Sequence, residues 1–550
     1  MNSFAKKILF AVLIFGFAVR ILGIGYGLPL WLGADEPPFV LGALKMIELK
    51  TLIPAFHEEE FRSVLYYPPY LSYLNLPLFA SILFFKFISY DGDIISFANY
   101  IVSDLSNFFA AARFINIFLA VLSIYLVYKI SMSLFRDEWA AAAGSFFLST
   151  SLLHILLSFS SRQWLAVSVV YVLVLYFLTK KEFSFEKRYF WAVFSAGIGM
   201  GISMISSLSI AFIALYYLFF EEKKLSQIFR EKYIYLLVLL FAVLSFVPLI
   251  LYPSSIGFGN DITLGEDKNI TELLLSPINF ITPLFRSEPV LVLFFLLGFY
   301  FAFVKDKKIF STFFIFLIAY SMAFYLIFRF EDRFLLALMP IIAILAGVGF
   351  KEFFRRLAEF NKIASAALLT AMIVLPIIFS LRLSYLAYLG DSRQNMRSWV
   401  EENITEGSMV LVSARLTRLS SNKEAIEEQK RIDPASLRGV DEAESYFGKN
   451  PIYPSFHALN LNSIPNSFHK NLPEYAESNS YEYLILPAED YRKDESLHKK
   501  LLGWAKENAL IISFGDDSSF SISESRLGQS PLELFETNML GPDVSLYKLR

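Results

Sequence analysis

The residues best suited to chemistry lie near the N-terminus, in Leu32-Gly33-Ala34-Asp35-Glu36-Pro37-Pro38. A carboxylate placed at a reacting hydroxyl acts as a general base. Three further polar sets could work with it: Arg113, Arg162 with Gln163, and Arg329-Phe330-Glu331-Asp332-Arg333. Guanidinium groups hold planar anions in a fork of N–H donors and stabilise charge that develops on a leaving group. Together these residue types suit a site that binds an anionic head group beside a proton acceptor. Each also has a plainer reading: Asp35 and Glu36 as an acidic helix-end turn closed by two prolines, Arg113 and Arg162 as side chains snorkelling from span ends, and Arg333 as an ion pair with Glu331 or Asp332.

Residues 8–31 form an apolar run, and about 20 such residues at ~1.5 Å each cross a hydrocarbon core of roughly 30 Å. Asp35 and Glu36 are therefore expected where the first helix leaves the lipid, a place where ionisable groups usually face a cavity or do chemistry. The whole chain has this character. Of its 550 residues 55% are hydrophobic, with 58 Phe and 29 Tyr, and the mean hydropathy is +0.51. Long runs of that composition indicate a polytopic membrane protein. A net charge of -2 and the lack of a basic arm argue against a nucleic-acid partner. With no Cys, disulfides, thiolate metal sites and Cys nucleophiles are excluded. Lys6 and Lys7 precede an apolar run longer than the core of a signal peptide, which reads as a retained first helix.

Basic residues favour the cytoplasmic side. Lys6 and Lys7 put the N-terminus inside, and the spans 114–135, 139–159, 164–179, 190–220 (two short passes hinged near Ser206-Ser207), 233–252, 289–304, 309–328, 334–350 and 363–381 then send every major basic block inward. Those blocks include Lys180, Lys181, Lys187 and Arg188; Lys223, Lys224, Arg230 and Lys232; and Lys351, Arg355, Arg356 and Lys362. Residues 253–288 become an outer loop with Asp261, Glu266, Asp267 and Glu288. The run Pro68–Phe87 contains Asn75 and Pro77 and, counted as a span, would invert the later blocks. It is expected as an interfacial helix. The reading is about eleven transmembrane helices over residues 1–381, with a first outer loop 32–112, followed by an extracytoplasmic α/β domain over 382–550. In that domain Met396–Asn403 and Leu497–Asn508 read as helices, and Met409–Val412, Tyr481–Leu486, Leu510–Ser513 and Val544–Tyr547 as strands. No phosphate-cradling glycine fingerprint and no internal repeat are present.

These residues resemble a known family. Ala34-Asp35-Glu36 followed by Ala43 and Met46 is similar to the first outer loop of GT-C glycosyltransferases of the protein O-mannosyltransferase and lipid A aminoarabinose transferase branch. Tyr66-Tyr67-Pro68-Pro69-Tyr70-Leu71 resembles the Pro-Pro-Leu element that opens an interfacial helix there. Ala112-Arg113-Phe114 is similar to the Ala-Arg-Leu opening of the next span, and Arg333-Phe334-Leu335-Leu336 with Pro340 to a late Arg-Tyr…Pro element. Asp391-Ser392-Arg393, Trp399-Val400-Glu401-Glu402-Asn403 and Gly541-Pro542-Asp543-Val544-Ser545-Leu546-Tyr547 resemble the tails of prokaryotic relatives. The resemblance implies a GT-C fold and an inverting transfer of a sugar from a polyprenyl- or dolichyl-phosphate donor to a protein, lipid or glycan acceptor on the outer face of the plasma membrane. Asp35 matches the catalytic Asp and Glu36 its neighbour. Arg333 and Arg329, then Arg113 and Arg162, are the phosphate-binding candidates, and Tyr66, Tyr67 and Gln163 the candidate substrate contacts.

Two positions depart from the pattern. Tyr67 stands where Lys or His is frequent, and Arg162 and Gln163 stand where an Asp often ends the third span. No cofactor is required by anything in the sequence. Asp91-Gly92-Asp93 resembles a divalent-metal DxD, although Asp and Gly are also ordinary turn residues, and the Trp-Trp-Asp of oligosaccharyltransferases is absent. His57 beside Glu58, Glu59 and Glu60 reads as a solvated charge run, and His154 as a satisfied packing residue. Asn269-Ile270-Thr271 is a glycosylation sequon by pattern. A polyprenyl-lipid flippase or other transporter, or a non-catalytic envelope scaffold, would use the same arginines without breaking a bond; transporters usually carry repeated halves with broken helices, and no such symmetry is visible.

Overall fold

The computed structural model describes residues 3–549 except 31, 33–34, 63, 223–230, 257–268, 328–330, 415–416, 437–453, 489–494 and 516–529. Lys223, Lys224 and Arg230, Asp261, Glu266 and Asp267, and Arg329 lie outside the described residues. The first helix, Ser3–Ile21, stops well short of residue 31. Gly23, Gly25, Gly27 and Pro29 follow in a series of turns, and Gly27 has φ +68°, a backbone region that glycine enters without a steric cost. Asp35 and Glu36 are therefore reached through a turn segment and not from a helix end, which corrects the expected continuous span.

Among the described residues, five helices are long and apolar enough to cross a membrane: Tyr70–Ile88, Ser106–Phe135, Lys232–Leu251, Lys307–Ile327 and Lys362–Leu389. Glu138–Thr150 and Leu152–Phe159 make a sixth when counted as one span bent by 54°. Trp164–Thr179, Met204–Phe220 and Pro289–Lys305 are shorter apolar helices. Tyr70–Ile88, expected at the interface, thus has the length and composition of a span. The first helix is absent from this set because Lys6, Lys7 and Arg20 interrupt it. The hinge expected near 206–207 lies between helices Phe185–Gly199 and Ser209–Phe220, joined through a 3-10 turn at Met204–Leu208.

Glu138–Thr150, Pro289–Lys305 and Met339–Phe360 form the tightest part of the helical core. A Cβ at Gly298 would come within 1.8 Å of the Leu345 carbonyl oxygen, and one at Gly347 within 2.2 Å of that of Ala140. Backbones approach this closely only across small residues, the usual device between helices in lipid, where no water remains to drive association. Phe147, Phe294 and Phe350 fill the space beside the seam, with ring centroids 4.9–5.7 Å apart.

The helix Lys362–Leu389 runs past residue 381, and Arg382 donates to the carbonyls of Leu534 (2.9 Å) and Thr537 (2.6 Å). Beyond it lies a five-stranded sheet of order β2-β1-β3-β5-β4, with β1 Met409–Val412, β2 His457–Asn460, β3 Tyr483–Pro487, β4 Ala509–Phe514 and β5 Val544–Lys548. β2, β1 and β3 are parallel, and β5 runs antiparallel between β3 and β4. Helices Ser392–Asn403, Lys423–Ile432, Leu472–Ser478 and Glu495–Lys506 complete an α/β unit. β2 and the helix Lys423–Ile432 have no counterpart among the expected elements. β2 has only four residues, too few for alternation to show.

Glu428, on the helix Lys423–Ile432, ties this unit together by accepting hydrogen bonds from His457, Tyr475 and Tyr481, the last at 2.7 Å. Burial alone would raise its pKa, but the three hydrogen bonds outweigh that and bring it down to about 2. A carboxyl depressed on folding contributes stability that is complete above its unfolded value of about 4.3 and is lost as pH falls toward 2. Glu428→Gln is accordingly expected to lower the thermal midpoint at pH 6, with the gap to wild type closing between about pH 4 and pH 2. A gap that stays constant over that range would show that the charge of Glu428 contributes nothing.

Candidate active site

The turn segment after the first helix is held by one side chain. Arg113, on the helix Ser106–Phe135, donates from Nη1 to the carbonyls of Ile24 (2.8 Å) and Tyr26 (2.7 Å). Its Nε and Nη2 meet Glu36 Oε1 and Oε2 at 2.7 and 2.8 Å, and the Ser161 amide donates to the same Oε1 at 2.7 Å. Glu36 is 0% exposed. Pro37 and Pro38 open the next helix, where their missing N–H groups leave no partner wanting. All three guanidinium nitrogens of Arg113 are therefore engaged within the protein, and Glu36 faces its arginine and the Ser161 amide.

Asp35 has the opposite environment. Its side chain is 21% exposed, and Oδ2 takes Arg162 Nη2 and, at 3.3 Å, Arg333 Nη1. Arg162 is 1% exposed. Its backbone is fixed by Asn116, whose Nδ2 donates to the carbonyls of Ser160 and Arg162, both at 2.8 Å. Arg333 is braced by Glu331 Oε2 at 2.8 Å and lies over the Trp164 ring, 5.5 Å from its centroid. Tyr67 stacks on Phe39 at 5.1 Å and shares a hydrogen bond with Gln163. Burial, reinforced by the Asp35 charge, pushes its pKa up to about 12, so it stays a neutral O–H. Tyr66 is exposed, with its ring 5.0 Å from that of Tyr67. Asp35, Arg162, Arg333, Tyr67 and Gln163 thus meet at one place, and Glu36 with Arg113 forms a separate buried pair beside them.

The segment that carries Ser161, Arg162 and Gln163 follows a break at Ser151. The carbonyls of Leu148 and Ser149, in the last turn of Glu138–Thr150, accept from Arg20 at 3.3 and 3.1 Å. On the other side of the break, Glu288 Oε1 accepts from Ser151 Oγ (2.9 Å) and the Leu153 amide (3.0 Å). A cation on terminal carbonyls and an acid on leading amides suit the helix dipole at each end. His154 lies between, with Nδ1 2.8 Å from Arg20 Nη2 and Nε2 3.1 Å from Ser123 Oγ. Sequence reasoning does not single out Arg20, Asn116 or Glu288 for these roles. The signal available for Arg20 is a charge inside an apolar run.

The remaining candidates are local. His57 Nδ1 is 3.7 Å from Glu60 on the same short turn. Asp93 accepts from the Ser96 amide (2.8 Å) and hydroxyl (3.1 Å). Asn269 Oδ1 caps the helix Ile270–Ser287 by accepting from the Thr271 amide at 2.8 Å. Among the described residues no group of three or more His, Asp or Glu side chains gathers as metal ligands.

Residues 94–252 match the model of the dolichyl-phosphate-mannose-protein mannosyltransferase family. The matched segment is less than half of the chain. No curated protein matches this chain. The solved structures similar to it include the Archaeoglobus fulgidus oligosaccharyltransferase tethered to an acceptor peptide, at 13% identity over 88% of this chain and 69% of that one, with a TM-score of 0.47. They also include ArnT from Cupriavidus metallidurans bound to undecaprenyl phosphate, at 11% identity over 99% and 98%, TM-score 0.47. Both scores are too low to carry an inference.

Glu36 and Arg113 yield a direct test. Removing either partner of a buried ion pair leaves an uncompensated charge and costs about 3–5 kcal/mol, whereas replacing both by apolar residues of similar size is often neutral. Glu36→Met and Arg113→Met are each expected to lower the thermal midpoint sharply in detergent, and the double variant to recover most of the loss. Additive losses would show that the pair is not the unit of stability here.

Proposed function

We propose that this chain is a glycosyltransferase of the GT-C type that moves a sugar from a polyprenyl- or dolichyl-phosphate donor to an acceptor on the extracytoplasmic face, with inversion at the anomeric carbon. The reading includes an N-terminus inside, a membrane part through residue 381 and a C-terminal α/β domain outside, in the plasma membrane. The observation that carries it is a partly open carboxylate, Asp35, held between two arginines while its neighbour Glu36 is closed in. The family match supports the donor class.

In this reading the donor phosphate enters at Arg162 and Arg333 and takes over part of their hydrogen bonding to Asp35. Oδ2 is then free to accept a proton from the acceptor. The acceptor's nucleophilic atom bonds to the anomeric carbon from the face opposite the phosphate as the bond from that carbon to the phosphate oxygen breaks. The electron pair leaves with the lipid phosphate, whose added negative charge the two guanidinium groups stabilise. Tyr67, kept as a neutral O–H, and Gln163 offer hydrogen bonds to the donor, and Tyr66 a ring at the rim. Arg329 joins the phosphate-binding set in this reading, Glu36 orients Asp35, and Arg113 secures Glu36. Metal is not required for any of these steps.

A transfer assay in liposomes with a panel of labelled polyprenyl-phosphate sugars tests this. Wild type is expected to remove label from one donor, Asp35→Asn to lose at least about 100-fold in kcat, and Arg333→Lys to lose activity chiefly in donor affinity, since Lys lacks the bidentate fork. EDTA is expected to leave the rate unchanged. Full turnover by Asp35→Asn, or a rate abolished by EDTA and restored by a divalent cation, would sink the mechanism.

A further inference from the structure

Two sequence elements of the tail, Asp391-Ser392-Arg393 and Gly541-Pro542-Asp543, have no part in the chemistry above, yet they meet at one point. Asp391 is fully buried. Its Oδ1 accepts from the Arg393 amide (3.0 Å) and Nε (2.7 Å), and its Oδ2 from Arg393 Nη2 at 2.9 Å. Ser392 donates from its amide to the Leu540 carbonyl (2.8 Å) and from its hydroxyl to the Pro542 carbonyl (2.5 Å). Gly541, at φ +98°, lies so close that a Cβ there would stand 2.4 Å from Asp391 Oδ1. Both elements therefore build a rigid seat for one carboxylate, a degree of fixation that a helix cap alone does not need.

That carboxylate reaches out of the C-terminal unit. The Tyr26 hydroxyl donates to Asp391 Oδ2 at 2.8 Å, and the Gly27 amide to Gln394 Oε1 at 3.1 Å. Tyr26 also offers its carbonyl to Arg113, the residue that clamps Glu36 next to Asp35. A continuous series of hydrogen bonds thus runs from Asp391 through Tyr26 and Arg113 to Glu36. The turn segment at residues 22–30 has backbone hydrogen bonds of its own, such as the Tyr26 amide to the Gly23 carbonyl (3.0 Å) and the Leu30 amide to the Gly27 carbonyl (2.9 Å), but these close single turns, and the carbonyls of Ile24 and Tyr26 take their partner from Arg113 outside it.

We infer that Tyr26 and Asp391 form a latch through which the C-terminal unit holds the turn bearing Asp35 and Glu36 in its working position. They are positioning residues, and this role rests on the transferase reading above. The latch explains why the tail carries a buried Asp and a positive-φ Gly far in sequence from the site they support.

The full chain in nanodiscs tests this with Tyr26→Phe, which removes one hydroxyl, and with Asp391→Asn. Hydrogen exchange read by mass spectrometry should accelerate about five- to tenfold across residues 22–30 and 160–164 in Tyr26→Phe, with residues 339–350 unchanged. In the liposome assay kcat should fall about tenfold or more while the donor KM stays within about twofold, since a displaced base harms the reacting geometry more than donor binding. The double variant should be no worse than the worse single variant, because both remove one interaction. Unchanged exchange at 22–30, or acceleration shared equally with 339–350, overturns the latch whatever the turnover. Accelerated exchange with undiminished kcat overturns the positioning role. A wild type silent toward every donor would count against the transferase reading, and exchange would then decide the latch alone.

Discussion

A carboxylate with no exposure to water has to be neutralised where it stands, and at Glu36 this constraint organises the surroundings of the candidate site. The neutralising group is Arg113, which comes from a different helix. Its remaining nitrogen holds the carbonyls of Ile24 and Tyr26, so one guanidinium fixes the turn segment, the start of the helix Pro37–Glu48 and, through the shared Oε1, the Ser161 amide. Because a charge left alone there would be costly, these elements can only move together.

The adjacent carboxylates differ because of this arrangement. Glu36 is locked on both oxygens. Asp35, one residue earlier on the turn, keeps part of its surface open and meets two arginines through a single oxygen. Those arginines are fixed from behind, Arg162 by Asn116 holding its backbone and Arg333 by Glu331 and the Trp164 ring. Preorganised cations beside a partly free carboxylate suit the transfer proposed above, in which a phosphate anion forms and a proton is taken up.

The broken helix at Ser151 serves the same end. A continuous helix would bury its backbone groups automatically. Interrupting it exposes carbonyls on one side and amides on the other, and Arg20 of the first helix and Glu288, at the junction between helices Ile270–Ser287 and Pro289–Lys305, satisfy them. The chain can then turn toward residues 160–163 and present Ser161 and Arg162 to the two carboxylates. Irregular backbone inside an apolar bundle is tolerable only when side chains supply such partners.

Composition and periodicity by themselves determined a helical membrane protein with a small α/β unit at its end, because apolar runs and alternation are local properties that the bilayer and the sheet read directly. The Asp35-Glu36 pair and the arginines at 113, 162 and 333 stood out for the same reason, since charge among apolar residues is visible without a structure. What only the tertiary structure decided is how they pair. Nothing in the order of residues says that Arg113 meets Glu36 while Arg162 and Arg333 meet Asp35, or that Asp391 reaches Tyr26. Those outcomes depend on distances between segments tens to hundreds of residues apart, and long-range ion pairs and hydrogen bonds are selected by burial and geometry that no local pattern encodes.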